Sequence, residues 1–231
     1  MPSRPTLYGY PISHYCVCAE RMMAFKGIPF DPEYVSYSDK RSLIRATGQD
    51  YVPALTWDGA VVTWQRIPDY LEERNPKPTL YPGGKRGLAH TLDDWGHQVL
   101  EERVWRYVVT RVPPLFDDEV ERWVFEELQT RARGAWSVLE HRREEYRVDM
   151  ESHLQLVEGM LDGHKWVLDE PSLADFGIFG GLSPLLTVGE EIPSKFPQIR
   201  DWANRIQQLG SVPRPWRHGA PAVVPVAVGA E

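Results

Sequence analysis

The chain has 231 residues, 42% of them hydrophobic, enough to bury a substantial core in one large or two modest domains, so global disorder is excluded. A formal net charge of -7 gives no general attraction to phosphate backbones or anionic lipid, so a role on nucleic acid or a membrane surface has no electrostatic support. No stretch has the length and apolarity of a signal peptide or a membrane span, and a cytoplasmic protein with small molecules or proteins as partners is expected.

Residues 6–9 (TLYG) form a short β-prone run. Ser13 then opens a segment that Gly27 and Pro29 close, and serine at the N-cap with glycine past the C-terminus predicts a helix from about residue 14 to 26. Cys16 and Cys18 fall inside it. Two apart on a helix, they point in nearly opposite directions and are expected to remain free thiols. A second strand is expected around residues 34–37, and Ser38-Asp39 predicts the start of a short helix reaching about residue 46. Residues 53–57 and 60–63 are apolar runs joined by Asp58-Gly59, a strong hairpin signal. Ile67, Tyr70 and Leu71 lie at helical spacing before Asn75-Pro76, which gives the order βαβαββα.

Residues 76–87 are dense in proline and glycine and mark a boundary. The remainder reads as helical. A helix from about residue 88 to 112 stops at Pro113-Pro114. Asp117-Asp118 caps a helix whose Val120, Trp123, Val124 and Leu128 lie on one apolar face. Further helices are expected over about 135–161, from Ser172 to about 188, and over about 196–209. The last residues, rich in Pro, Ala and Val, are expected to form a tail packed through Trp216. The divisions are residues 1–80, a linker at 81–87, a helical domain at 88–211 and a tail at 212–231.

Four local motifs in order carry a family resemblance: Ser13-His14-Tyr15-Cys16 with Lys26-Gly27-Ile28-Pro29-Phe30, then Val52-Pro53-Ala54-Leu55, then Ile67-x-x-Tyr70-Leu71-Glu72-Glu73, and finally Ser172-Leu173-Ala174-Asp175. Together they resemble the cytosolic glutathione transferase superfamily over residues about 5 to 210. The resemblance implies a thioredoxin-like α/β domain followed by an all-helical domain, a homodimer, glutathione as cosubstrate and a small electrophile as second substrate, as in detoxification. It also implies a cis peptide at Val52-Pro53, with the Val52 backbone pairing the cysteinyl part of glutathione.

Chemistry of this type needs a stabilised thiolate, and a hydroxyl at a helix N-terminus suits that task. Ser13 is the leading candidate, capping alone being its structural alternative. Tyr10 is a second hydroxyl. Cys16 opens a different reading, a monothiol oxidoreductase, although the family's reactive cysteine stands where this chain has Ser13. Lys40, Arg41 and Gln49 are candidates for the glycine carboxylate of glutathione, a solvated basic face being the alternative. The family's acid-serine pair for the γ-glutamyl group is replaced by Thr63 and Trp64. Thr63 retains a capping hydroxyl and Gln65 an amide, but the usual ion pair is lost, which points to a remodelled site or to a non-catalytic binding module. Trp95, Trp105, Arg106 and Tyr107 are available for an electrophile pocket. The seven histidines show no metal-ligand spacing, and no metal site is expected.

Overall fold

The computed structural model describes residues 4–212. Strands β1 (Thr6–Gly9), β2 (Asp31–Tyr34), β3 (Ala54–Trp57) and β4 (Ala60–Thr63) form one sheet in the order β2-β1-β3-β4. Helix α1 (His14–Phe25) crosses from β1 to the parallel β2, α2 (Arg41–Thr47) follows, and α3 (Ile67–Arg74) closes the βαβαββα unit. The hairpin of β3 and β4 turns at Asp58 (φ 50°) and Gly59 (φ 81°), the left-handed pair that a two-residue turn requires. β2 lies three residues earlier than expected. Its Pro32 lacks an N–H, and an edge strand tolerates that loss while Thr6 to Gly9 pair with Asp31 to Tyr34. α2 also starts late: Asp39 Oδ1 accepts from the Arg41 amide at 3.0 Å, so the turn at Asp39 precedes the helix.

The remainder is helical: α4 (Arg86–Trp95), α5 (Glu101–Val108), α6 (Glu119–Arg133), α7 (Trp136–His141), α8 (Arg143–Met160), α9 (Leu173–Thr187) and α10 (Pro197–Gln208). The single helix expected up to residue 112 is interrupted by a π-turn over Gly96–Leu100 and ends in short 3-10 turns. The long segment expected over 135–161 breaks at Arg142 into α7 and α8. The expected tail, with Trp216, lies outside the described residues.

α9 is the central post, buried along its whole length because it is apolar on every side. Asp175 secures its start. Oδ2 accepts from the Ser172 amide (3.0 Å) and hydroxyl (2.7 Å), while Oδ1 accepts from the Val167 amide and Trp202 Nε1 (both 2.9 Å). Burial raises the Asp175 pKa, and these hydrogen bonds offset part of the rise. Pro184 deprives the Gly180 carbonyl of its helical partner, and Ser183 Oγ donates to that carbonyl instead, at 2.7 Å.

The two parts meet where α1 packs on α9, and they are tied along the connecting segment. Lys26 is almost fully buried, and its Nζ donates to Glu72 Oε2 (2.7 Å) and to the carbonyls of Asn75 (2.6 Å) and Pro78 (2.8 Å). Glu72 also accepts from the Leu80 amide, and the Leu80 carbonyl accepts from the Leu173 amide at 3.0 Å.

α6 turns the opposite face inward from the one its apolar residues suggest. Glu121, Phe125 and Gln129 are buried, whereas Val120, Trp123 and Leu128 are 59%, 60% and 46% exposed. The reason is polar pairing: Tyr34 donates its hydroxyl to Glu121, and Trp105 Nε1 donates to Gln129 at 3.0 Å.

Candidate functional site

A cleft of about 280 Å³ opens between the sheet unit and the helical part. One wall carries Tyr10, Ser13, His14, Lys40 and Val52; the other carries Glu101, Trp105, Gln129 and Arg133. The sequence places Ser13 here through local chemistry. As the N-cap of α1 it keeps extended backbone geometry, its Oγ accepts from the Cys16 amide at 3.4 Å, and the positive end of the helix faces the same space. The same hydroxyl also meets the Cys16 thiol, and Ser13 lines the cleft.

Val52 precedes Pro53 across a cis peptide, as the resemblance implies. Among the described residues its N–H and C=O have no hydrogen-bond partner, and Val52 lines the cleft. Lys40 also reaches the cleft. Arg41 does not: its guanidinium folds back on Asp39 in a paired contact, with Nε–Oδ1 at 2.9 Å and Nη2–Oδ2 at 2.5 Å, and its side chain is 85% exposed. Gln49 lies outside the lining, its buried Nε2 without a partner.

Tyr10 is in the cleft, stacked near Tyr37 with ring centroids 4.9 Å apart, and burial raises its pKa, so it acts as a neutral hydroxyl. Cys16 is fully buried. Burial pushes its thiol up to about 12, with hydrogen bonds from Ser13 and the Tyr10 backbone offsetting part of that rise. Among the helix residues considered for an electrophile pocket, Trp105 lines the cleft, Arg106 turns outward to Glu102 at 2.7 Å, and Trp95 and Tyr107 lie elsewhere.

Thr63, Trp64 and Gln65 stand where the resemblance would place a γ-glutamyl contact. Thr63 makes no side-chain cap bond, contrary to the expectation for its hydroxyl, and Gln65 is exposed. Trp64 packs on Tyr15 with centroids 4.4 Å apart, and Tyr15 in turn lies 4.2 Å from the His97 ring. The indole therefore extends an aromatic row between the two parts and leaves the wall of the Ser13 cleft.

Sequence reasoning passed over His14 and its partner. His14 Nδ1 lies 3.2 Å from Glu101 Oε1, and its Nε2 is buried without a partner. Burial lowers the His14 pKa, with the Glu101 hydrogen bond opposing that effect, so the ring is held neutral and the Nδ1 proton points to Glu101. The pair is invisible to local spacing because Glu101 comes from a different helix. The histidines also have more acidic neighbours than spacing suggested. His153 lies near Asp149, His164 near Asp169, and His97 Nε2 is 3.3 Å from Asp93 Oδ1, with Cys18 beside them.

Comparison with known proteins agrees with this architecture. Residues 7–79 match the family model of the glutathione S-transferase N-terminal domain. No curated protein sequence matches the chain. Among solved structures, a glutathione S-transferase from Rhodospirillum rubrum F11 is 21% identical at a TM-score of 0.70, covering 92% of this chain and 89% of that one. Glutaredoxin 2 from Salmonella typhimurium, in complex with glutathione, is 19% identical at a TM-score of 0.72, covering 89% and 94%. The glutathione transferase GSTFuA3 from Phanerochaete chrysosporium is 19% identical at 0.73, covering 90% and 97%. At these identities the structures establish a shared fold.

Proposed function

We propose that the chain, whose residues 7–79 match the glutathione S-transferase N-terminal domain, belongs to the glutathione transferase superfamily, binds glutathione in the cleft between Ser13 and Val52 and transfers the thiol to a small electrophile. The observation that carries this reading is that Ser13, at the positive end of α1, and the unpaired backbone of Val52 line one cleft. Val52 would pair with the cysteinyl backbone of glutathione, and Lys40 would meet a carboxylate. Ser13 would donate its hydroxyl proton to the thiolate while the α1 terminus lowers the energy of the negative charge. His14 Nε2, buried without a partner, would accept the thiol proton, the ring being oriented through Nδ1 by Glu101. Trp105, Gln129 and Arg133 supply an aromatic face, an amide and a cation on the opposite wall for the second substrate. A cytoplasmic homodimer with a detoxifying role accords with this reading, and no helix of the described residues is long and apolar enough to cross a membrane.

A second reading, a glutathione transferase-like binding module without catalysis, draws on one observation: Trp64 is committed to packing and supplies nothing to hold a γ-glutamyl group. A monothiol reaction at Cys16 would require a buried thiol to ionise, and its environment opposes that. Calorimetry with glutathione followed by a conjugation assay separates the readings. Binding with turnover that falls in Ser13→Ala supports the transferase; binding without turnover supports the module. Absence of binding at millimolar glutathione sinks the transferase reading and leaves the module.

A further inference from the structure

Behind the cleft, α1, α4 and the π-turn bring together three side chains that the transferase chemistry leaves unused. Cys18 Sγ, an Asp93 carboxylate oxygen and an imidazole nitrogen of His97 all lie within 4.8 Å of one another. Asp93 Oδ1 is the hub, 3.8 Å from Cys18 Sγ and 3.3 Å from His97 Nε2. For an ion about 2.0 Å from nitrogen and oxygen and about 2.3 Å from sulfur, tetrahedral edges are about 3.3 Å (N to O) and about 3.5 Å (S to O). The two edges through Asp93 Oδ1, 3.3 Å and 3.8 Å, lie close to these values.

Two further features point the same way. A cavity of about 20 Å³ adjoins the three groups, large enough for one water, and Trp64, Tyr15 and Met22 help to wall it. α9 also approaches the cluster through glycines. A Cβ at Gly180 would lie 3.1 Å from His97 Cε1 and 3.3 Å from Cys18 Cβ, and one at Gly177 would collide with Asp93. The Asp93 side chain is 14% exposed and gives the enclosed cluster a route to solvent.

We propose that Cys18, Asp93 and His97 bind a zinc-like divalent transition-metal ion, with a water in the adjoining cavity as fourth ligand. Without a cation, burial and the Asp93 charge keep the Cys18 thiol protonated. Binding releases that proton to solvent and forms the metal–thiolate bond, while the imidazole proton resides on Nδ1 and frees Nε2 for the ion. One thiolate, one imidazole and one carboxylate make a donor set suited to zinc rather than to calcium or magnesium. Trp64, which contributes nothing to a γ-glutamyl site, acquires a use as part of the wall of this second cavity. The site would organise the contact between α1 and α4.

The full chain, stripped of metal and kept reduced with a non-thiol reductant, is titrated with Co²⁺ and followed by absorbance. The proposal expects one equivalent bound with a thiolate-to-cobalt charge-transfer band that Zn²⁺ abolishes. The band should persist in Cys16→Ser, vanish in Cys18→Ser and weaken at least about tenfold in apparent affinity in His97→Gln. A wild-type protein with no such band overturns the proposal. So does a band retained by Cys18→Ser or untouched by His97→Gln, and if Cys18→Ser does not fold, the wild-type and His97→Gln titrations decide.

Discussion

Ser13 does two things with one hydroxyl. Its oxygen closes the start of α1, and the same group lines the cleft. Ser13→Ala should therefore cost little helix stability, about 1 kcal/mol, but lower kcat for conjugation about 100-fold with a small change in glutathione affinity. An equal loss of stability and activity in a melting and kinetic comparison would mean that Ser13 only caps. The sequence made Ser13 visible because its two roles depend on local neighbours. His14 and Glu101 escaped for the opposite reason: a pair split between α1 and α5 has no signature at short range. Cys18, Asp93 and His97 escaped likewise, because only the packing of α1 against the π-turn brings a cysteine to an acid and histidine four residues apart.

Elements whose determinants are local were readable, and those fixed by their surroundings were not. Asp58-Gly59 encodes its own turn, and Ser172 with Asp175 encodes the start of α9. β2 is defined by its pairing to β1, so its own Asp-Pro-Glu-Tyr carries almost no strand signal. α6 misled because Glu121 and Gln129 find buried partners while Trp123 stays outside. Lys26, in the motif that ends α1, holds the end of α3 and the connecting segment by three hydrogen bonds. Lys26→Met should lower unfolding stability by about 3 kcal/mol, since it strands Glu72 and two carbonyls; a change under about 1 kcal/mol in urea unfolding would refute that anchoring role.

A second tie joins α3 to α4. Burial would raise the Asp69 carboxyl, but hydrogen bonds from Arg86 (2.5 Å) and Tyr81 (2.6 Å) hold it at about 2, below the ordinary 3.8. An acid depressed by folding stabilises above its unfolded pKa and loses that contribution as pH falls through the folded value. The stabilisation from Asp69 should thus be complete above about pH 4 and fade towards pH 2. Urea unfolding of wild type and Asp69→Asn should differ at pH 5 and converge near pH 2; a gap independent of pH would assign the contact no ionic character.

At the scale of the whole molecule, the cleft exists because two separately readable halves close on each other. The sheet unit brings a helix terminus and an open backbone edge, and the helical part brings Trp105, Gln129 and Arg133. Neither half contains the site alone, so the sequence disclosed the wall that carries Ser13 and Val52 better than the wall that faces them. The central claim is that this closure lowers the pKa of a bound glutathione thiol. It is tested most directly by titrating the thiolate's ultraviolet absorbance for glutathione bound to wild type and to Ser13→Ala. The account predicts ionisation below the pH at which free glutathione ionises, with the shift reduced in Ser13→Ala; bound glutathione that titrates like the free tripeptide would contradict it.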